Sequence, residues 1–168
     1  MKFCPKCGGR LVQKIVHKGD KPRWVCSDCA FIFYLDPKVA ACTIPEIDGK
    51  AVLIKRAIEP SVGKWTFPGG YVDRGESVKD AAIRETKEEV NLDVELGQLL
   101  NIYSYPKSDV IVIVYHARTR GGEISKGTEV AEVALFDPAS IPWSELAFES
   151  TREALEDWVK SRAQKSEE

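Results

Sequence analysis

Glu85, Glu88 and Glu89 are the residues of this 168-residue sequence whose positions most need a chemical explanation. The segment from about Ser77 to Val90 reads as a helix opened by a Ser77/Asp80 capping pair. At about 100° per residue, Val78, Ala81 and Ala82 mark its buried stripe, and the three glutamates fall within the same arc of roughly 120°. Lys79, Asp80 and Lys87 lie on the other side, where solvent would have them. Three carboxylates converging beside an apolar face repel one another and shift toward protonation unless a cation compensates them; a hard divalent metal does so economically. A surface helix held by ion pairs is the alternative, and Arg84 and Glu88 are spaced i, i+4 for one. Against it stands the upstream run Trp65-Thr66-Phe67-Pro68-Gly69-Gly70, whose two glycines let main-chain groups approach a metal or phosphate closely.

A second constellation lies at the N-terminus. Four of the five cysteines form two tight pairs, Cys4/Cys7 and Cys26/Cys29, with eighteen residues between them. Two residues between cysteines let one turn aim both thiolates at one ion, and this paired spacing matches tetrahedral zinc sites. Two disulfides or redox pairs are the other reading, which no secretory signal supports. Cys42 lies in the apolar run Val39 to Pro45 and reads as a buried thiol. His17 could in principle replace a cysteine ligand and His116 sits on an apolar strand, but no partner spacing gives either a role.

The elements that must position these groups can be read coarsely. Residues 1 to about 35 bury too little to fold without a metal or disulfides, so zinc is expected to be their core. Leu11 to Val16 and Arg23 to Val25 flank Lys18-Gly19-Asp20 as a hairpin. Asp36-Pro37 marks a boundary to a second domain, 36–168. There, Val39 to Ile44 and Ala51 to Ile54 are short strands joined through Asp48-Gly49. Further strands are expected at Leu99 to Tyr105, Val110 to Ala117 and Val130 to Phe136, the second covered on both faces. A second helix is expected from about Phe148 to Arg162 with Leu155 and Trp158 inward, then a polar tail from about residue 163. The pattern is that of a mixed α/β domain.

Composition narrows the field. With 24 basic against 26 acidic residues the formal charge is −2, so no global field draws the chain to nucleic acid or anionic lipid, although local patches stay open. No apolar stretch is long enough to span a membrane, and the sequence opening Met1-Lys2-Phe3-Cys4 has no signal-peptide character. A cytoplasmic location without membrane partners is the default expectation.

Taken together, Gly70, five residues, Glu76, seven residues, Arg84-Glu85-Thr86-Lys87-Glu88-Glu89 and then Val90-Asn91-Leu92 resemble the signature box of the Nudix hydrolases. Two positions depart from it. Thr86 replaces a large aliphatic, which bears on core packing, and Asn91 stands for glycine, which a left-handed helix exit tolerates. The resemblance implies a Nudix α/β/α sandwich with a mixed sheet over about residues 39–160, preceded by a small zinc ribbon. It implies that Glu85, Glu88, Glu89 and the Gly69 carbonyl bind Mg²⁺ or Mn²⁺, with Arg84 and Glu76 orienting the carboxylates. The implied reaction is attack of water on a nucleotide diphosphate bridge, with metal neutralising the phosphates and acidifying the water. The box leaves the general base open: Glu85 and Glu89 come first, and Glu123, Glu129 and Glu132 around a later glycine turn are candidates for a base or an extra ligand, unless simply solvated.

A ribbon ahead of such a domain also resembles the NADH pyrophosphatases and a related group acting on ADP-ribose or FAD. The NADH branch carries a Ser-Gln-Pro-Trp-Pro-Phe-Pro type motif after the box; here the stretch reads Tyr103-Ser104-Tyr105-Pro106-Lys107-Ser108. FAD, ADP-ribose or another small dinucleotide or nucleotide-sugar derivative is therefore expected, giving AMP from the adenosine-bearing substrates, with NADH secondary. Tyr103, Tyr105 and Trp65 could stack a base or could equally be core. Two other functions stay open: removal of nucleotide caps from RNA, with Lys14, Lys18, Lys21 and Arg23 on phosphates, and a catalytically silent nucleotide sensor. The ribbon is expected to be structural, since four thiolates fill a tetrahedral zinc. Nudix enzymes are frequently dimers, which leaves a homodimer open.

Overall fold

The structure, a computed structural model, describes residues 2–165. The chain divides into two compact units, Met1–Pro37 and Lys38–Glu168.

The first unit is a three-stranded antiparallel sheet, β1 (Leu11–Lys14), β2 (Arg23–Cys26) and β3 (Ile32–Phe33), in that order. Its hairpin matches the expectation; β3, only two residues long, has no periodicity of its own to reveal it. Leu11, Cys4 and Cys26 are its buried centre, with Trp24, Phe31 and Phe33 packed around them. With Val25 these make four buried residues, far too few to hold a fold of this size.

The second unit is built on seven strands. In chain order they are β4 (Lys38–Ile47), β5 (Lys50–Arg56), β6 (Trp65–Thr66), β7 (Gly69–Tyr71), β8 (Asp93–Ser104), β9 (Val110–Gly121) and β10 (Val130–Phe136). The path runs β10-β5-β4-β9-β8, with β4 and β9 parallel and the other pairs antiparallel, so the sheet is mixed. Asp48 and Gly49, with φ of 49° and 77°, close the β4–β5 hairpin as their residue types require.

Alternation along the central strands assigns the faces. Ile44, Leu53 and Val114 face one cluster with Ala154, Leu155 and Trp158 of helix α2 (Glu149–Lys165). Ala41 and Tyr115 face another with Ala81 and Ala82 of helix α1 (Val78–Val90). Both faces of the central strands are thus covered and the layers are α/β/α. The helix continues through Lys165, into the polar tail expected from about 163, and residues 166–168 lie outside the described ones. Among the described residues no helix is long and apolar enough to cross a membrane.

Two features of this frame prepare the site. First, β4 and β5 pair only at Glu46↔Ala51 and Ile47↔Lys50 and then part. The segment Trp65–Tyr71 fills the gap, β6 pairing with β5 and β7 with β4, which sets Gly69 opposite Cys42. Second, Thr86 is fully buried against Thr43 of β4, their hydroxyls 2.6 Å apart, and Thr86 Oγ1 donates to the Ala82 carbonyl at 2.7 Å. The departure from an aliphatic at position 86 is therefore met by a hydroxyl partner on the strand. We expect Thr86→Val to cost about 1–3 kcal/mol, because it strands the Thr43 hydroxyl, and Thr43→Val/Thr86→Val to recover most of that loss. Urea unfolding of the three variants checks this; additive losses would contradict it.

Candidate active site and metal centre

Helix α1 supplies most of the site. Ser77 caps it, its Oγ accepting from the Asp80 N–H at 3.1 Å, as the sequence suggested. At the other end Asn91 takes the left-handed conformation, φ 57° and ψ 25°, that glycine would otherwise provide. Its Nδ2 donates to the carbonyl of Glu123. The segment that follows β9 lies across this helix end: Ser125 N–H donates to the Val90 carbonyl and Gly127 N–H to that of Glu89.

Glu85 and Glu89 flank the buried Thr86 and are themselves partly buried. Burial pushes the pKa of Glu89 up to about 7, against the Gly69 N–H that donates to its Oε2 at 2.8 Å; Glu85 adds to the rise. Burial also raises Glu85, opposed by Arg84. Glu88 departs from the expectation of three converging acids: its side chain is 59% exposed and turns to Arg84 Nη1 at 3.4 Å. One turn of helix separates the two residues, and the guanidinium draws the outermost carboxylate outward. Charge and core thus coincide for two glutamates rather than three. Arg84 also binds Glu76 at 2.8 Å, Glu85 at 2.7 Å and the Tyr71 carbonyl at 3.2 Å, tying helix to β7. Its guanidinium holds Glu76 below the usual carboxylate range.

The two glycines are explained by close approach. A Cβ on Gly70 would lie 2.5 Å from the Glu85 carboxyl carbon, and one on Gly69 2.4 Å from Cys42 Sγ. Cys42 is buried, as expected, and burial raises its thiol pKa.

These residues line one side of a cleft of about 970 Å³. Gly69, Gly70, Arg84, Glu85, Glu88, Glu89, Tyr105 and Glu129 all reach it. Several expected residues do not. Glu76 sits behind Arg84. Glu132 pairs with Lys55 at 3.3 Å on the neighbouring strand, and Glu123 meets Asn91 through its main chain. Trp65 is 5% exposed and edge-on to Phe136, and Tyr103 is 4% exposed with its hydroxyl on Asp157, so both are core. Tyr105 lines the cleft and is anchored by Glu153 at 3.0 Å. Arg56 and Phe148, not singled out from sequence, complete the opposite side. The guanidinium of Arg56 stacks 5.3 Å over the Phe148 ring and donates to the Pro60 carbonyl at 2.7 Å. A strand-terminal arginine and a phenylalanine in a loop carry no distinguishing sequence signal.

In the first unit the ligand atoms of Cys4, Cys7, Cys26 and Cys29 lie within 4.8 Å of one another, which among the described residues is the one such cluster of three or more Cys, His, Asp or Glu. Sulfur separations of 3.3, 3.5 and 3.8 Å match the edge of about 3.8 Å of a tetrahedron with ligands about 2.3 Å from its centre. All four cysteines are free thiols, so the disulfide reading does not hold. N–H groups of Cys29 and Asp28 draw Cys26 down to about 7. The Gly9 amide pulls Cys7 the same way, but neighbouring thiols carry it up to about 12. Four thiols this close cannot all ionise without a cation among them. His17 and His116 are no part of this cluster.

Comparison with known proteins agrees with this geometry. Residues 35–158 match the NUDIX domain family and residues 2–35 match the family described as Nudix N-terminal, a zinc ribbon. An ADP-ribose pyrophosphatase of Methanocaldococcus jannaschii is 38% identical over 146 residues, 84% of this chain and 81% of that protein. A NAD-capped RNA hydrolase NudC of Vibrio atlanticus is 26% identical over 84% of the chain, which spans about half, 51%, of that protein. The crystal structure of a NUDIX hydrolase from Nitrosomonas europaea superposes with a TM-score of 0.92 at 38% identity, covering 98% of this chain and 93% of that one. The chain belongs to the Nudix hydrolase family and carries that family's N-terminal zinc ribbon.

Proposed function

We propose that the chain hydrolyses the diphosphate bridge of a nucleoside diphosphate derivative, ADP-ribose or FAD ahead of NADH, releasing AMP. The observation that carries this is the cleft, which sets two partly buried glutamates against an arginine and aromatic side chains in one space of about 970 Å³. That volume is at the upper end of small-molecule sites and has room for a dinucleotide. The name of the Methanocaldococcus relative supports ADP-ribose.

The donor set suits a hard divalent cation. Glu85 and Glu89 are anionic oxygens partly withdrawn from water, and an ionised Glu89 is disfavoured there without a positive partner. Mg²⁺ or Mn²⁺ would be held by Glu85, Glu88, Glu89 and the Gly69 carbonyl. Bound there, the cation supplies charge neutralisation to the phosphates and acidity to a water. The protein's own residues do the rest. Arg84 and Glu76 orient the carboxylates, and the Gly69 N–H fixes Glu89. Arg56, preset by the Pro60 carbonyl and Phe148, offers its remaining N–H groups to phosphate. Tyr105 and Phe148 offer faces to a base or flavin. Glu85 or Glu89 serves as general base, with Glu129 on the facing loop as the alternative. In the ribbon the four cysteines hold a structural Zn²⁺.

Product analysis with Mg²⁺ against FAD, ADP-ribose, NADH, NAD, diadenosine polyphosphates and nucleoside triphosphates tests the proposal. AMP released from ADP-ribose or FAD much faster than from the others is the expected result. No turnover of any dinucleotide would overturn it.

A further inference from the structure

The near-neutral charge of the chain is an average over two unlike units. Residues 1–37 contain seven Lys or Arg, three Asp and no Glu, a formal +4; the remaining residues hold 17 basic and 23 acidic side chains, a formal −6. The excess is also ordered in space. In the ribbon sheet, Leu11 pairs with Cys26 and, with Cys4, faces the metal cluster. Alternation turns Arg10, Val12 and Lys14 to the opposite face. Register then lays out three rows there. Phe3 bridges Arg10 at one end, Val12 pairs with Val25 and Val25 with Ile32 in the middle, and Lys14 pairs with Arg23 at the other. The guanidinium of Arg23 lies 5.5 Å over the ring of Tyr34, which closes that last row.

Both end rows are open to solvent at their aromatic positions: Phe3 is 67% and Tyr34 53% exposed. Arg10 and Lys14 are exposed as well. Of the acids of this unit, Asp20 is paired with Arg23 at 3.0 Å, and Asp28 lies against Gly9 beside Arg10. Rows two residues apart are about 6.6 Å from each other, so the two exposed ends, each with an aromatic ring and a cation, lie about 13 Å apart on either side of a middle row in which Val25 is buried.

We propose that this face of the ribbon binds single-stranded nucleic acid. Exposed rings on a sheet give bases a stacking surface, and flanking cations hold phosphates without reading sequence. A duplex hides its base faces and gains nothing from Phe3 and Tyr34. The proposal rests on the ribbon alone and is independent of which dinucleotide the hydrolase domain takes.

Fluorescence anisotropy of the full-length zinc-loaded protein with labelled dodecamers of RNA and DNA, single-stranded and duplex, tests it. Two cations free for phosphate, Arg10 and Lys14, give a log–log salt slope of about −1.4, so affinity for a single strand falls about 7-fold between about 50 and 200 mM salt. Arg10→Gln/Lys14→Gln flattens the slope to near zero, and Tyr34→Ala weakens binding about 5-fold or more. Lys79→Gln, an exposed position in the other unit, leaves both unchanged. Unchanged zinc content and circular dichroism show that each variant is folded. No saturable binding at about 50 mM salt, duplex bound as tightly as single strand, or Tyr34→Ala binding like the parent would each overturn the proposal. RNA and DNA titrations side by side show which strand is preferred. Turnover of ADP-ribose by Arg10→Gln/Lys14→Gln equals the parent's, so a failure of hydrolysis in every protein would count against the proposed function and leave this one standing.

Discussion

Glu89→Gln leaves a folded protein whose metal-dependent turnover falls by about 100-fold or more. The carboxylate is partly buried, accepts the Gly69 N–H at 2.8 Å and sits where burial lifts its pKa to about 7. An amide keeps the shape and the hydrogen bond to Gly69 but contributes no charge to a cation, and the metal's stabilisation of phosphoryl transfer is worth several kcal/mol, of which about 1.4 accounts for each tenfold in rate. Stability moves the other way. An ionised carboxylate withdrawn from water is costly in the metal-free protein, so the variant with chelator present melts no lower than the parent. Steady-state hydrolysis with titrated Mg²⁺ and a thermal melt in chelator measure the two effects. An unchanged rate would move the metal site elsewhere. A large loss of melting temperature would make Glu89 structural.

Cys26→Ser unfolds the ribbon while the second unit stays folded. The ribbon's buried centre is Cys4, Leu11 and Cys26, two of which are thiols facing the cluster. A structural zinc contributes on the order of 10–16 kcal/mol to a domain of this kind, and serine does not replace the thiolate. Expected are loss of bound zinc by elemental analysis, rapid amide exchange through residues 2–37, and preserved protection in the strands of the larger sheet. Full ribbon protection with no zinc bound would refute a metal core.

The parts of this molecule legible in its sequence share a cause. Cysteine spacing, the glutamates on the apolar arc of α1, Gly69-Gly70 and the Asp48-Gly49 turn are all local patterns, each forced by chemistry within a few residues. Helix caps belong with them: Ser77 and Asn91 do what their types permit. What escaped is non-local. Tyr103 and Tyr105 look alike in sequence and both bond α2, yet one is packed on Asp157 in the core and the other lines the cleft, because Tyr103 lies within β8 and Tyr105 just past its end. Glu129 and Glu132 differ only in which side of a β-bulge they fall, and the bulge sends Glu132 to Lys55. Arg56 gains its place only because β5 parts from β4 and the 57–63 loop folds back under its guanidinium. Thr86 looked like a weakness on its own and is explained only by Thr43, 43 residues away.

The segment laid across the end of α1 also bears on how the cleft opens. Its N–H groups at Ser125 and Gly127 terminate the helix by bonding the carbonyls of Val90 and Glu89, and the same segment runs on to Glu129 at the rim of the cleft. Lifting this segment strands two main-chain carbonyls at the helix end, one of them Glu89's own, so opening the cleft at that rim requires the loss of two hydrogen bonds from the end of the helix that carries Glu89.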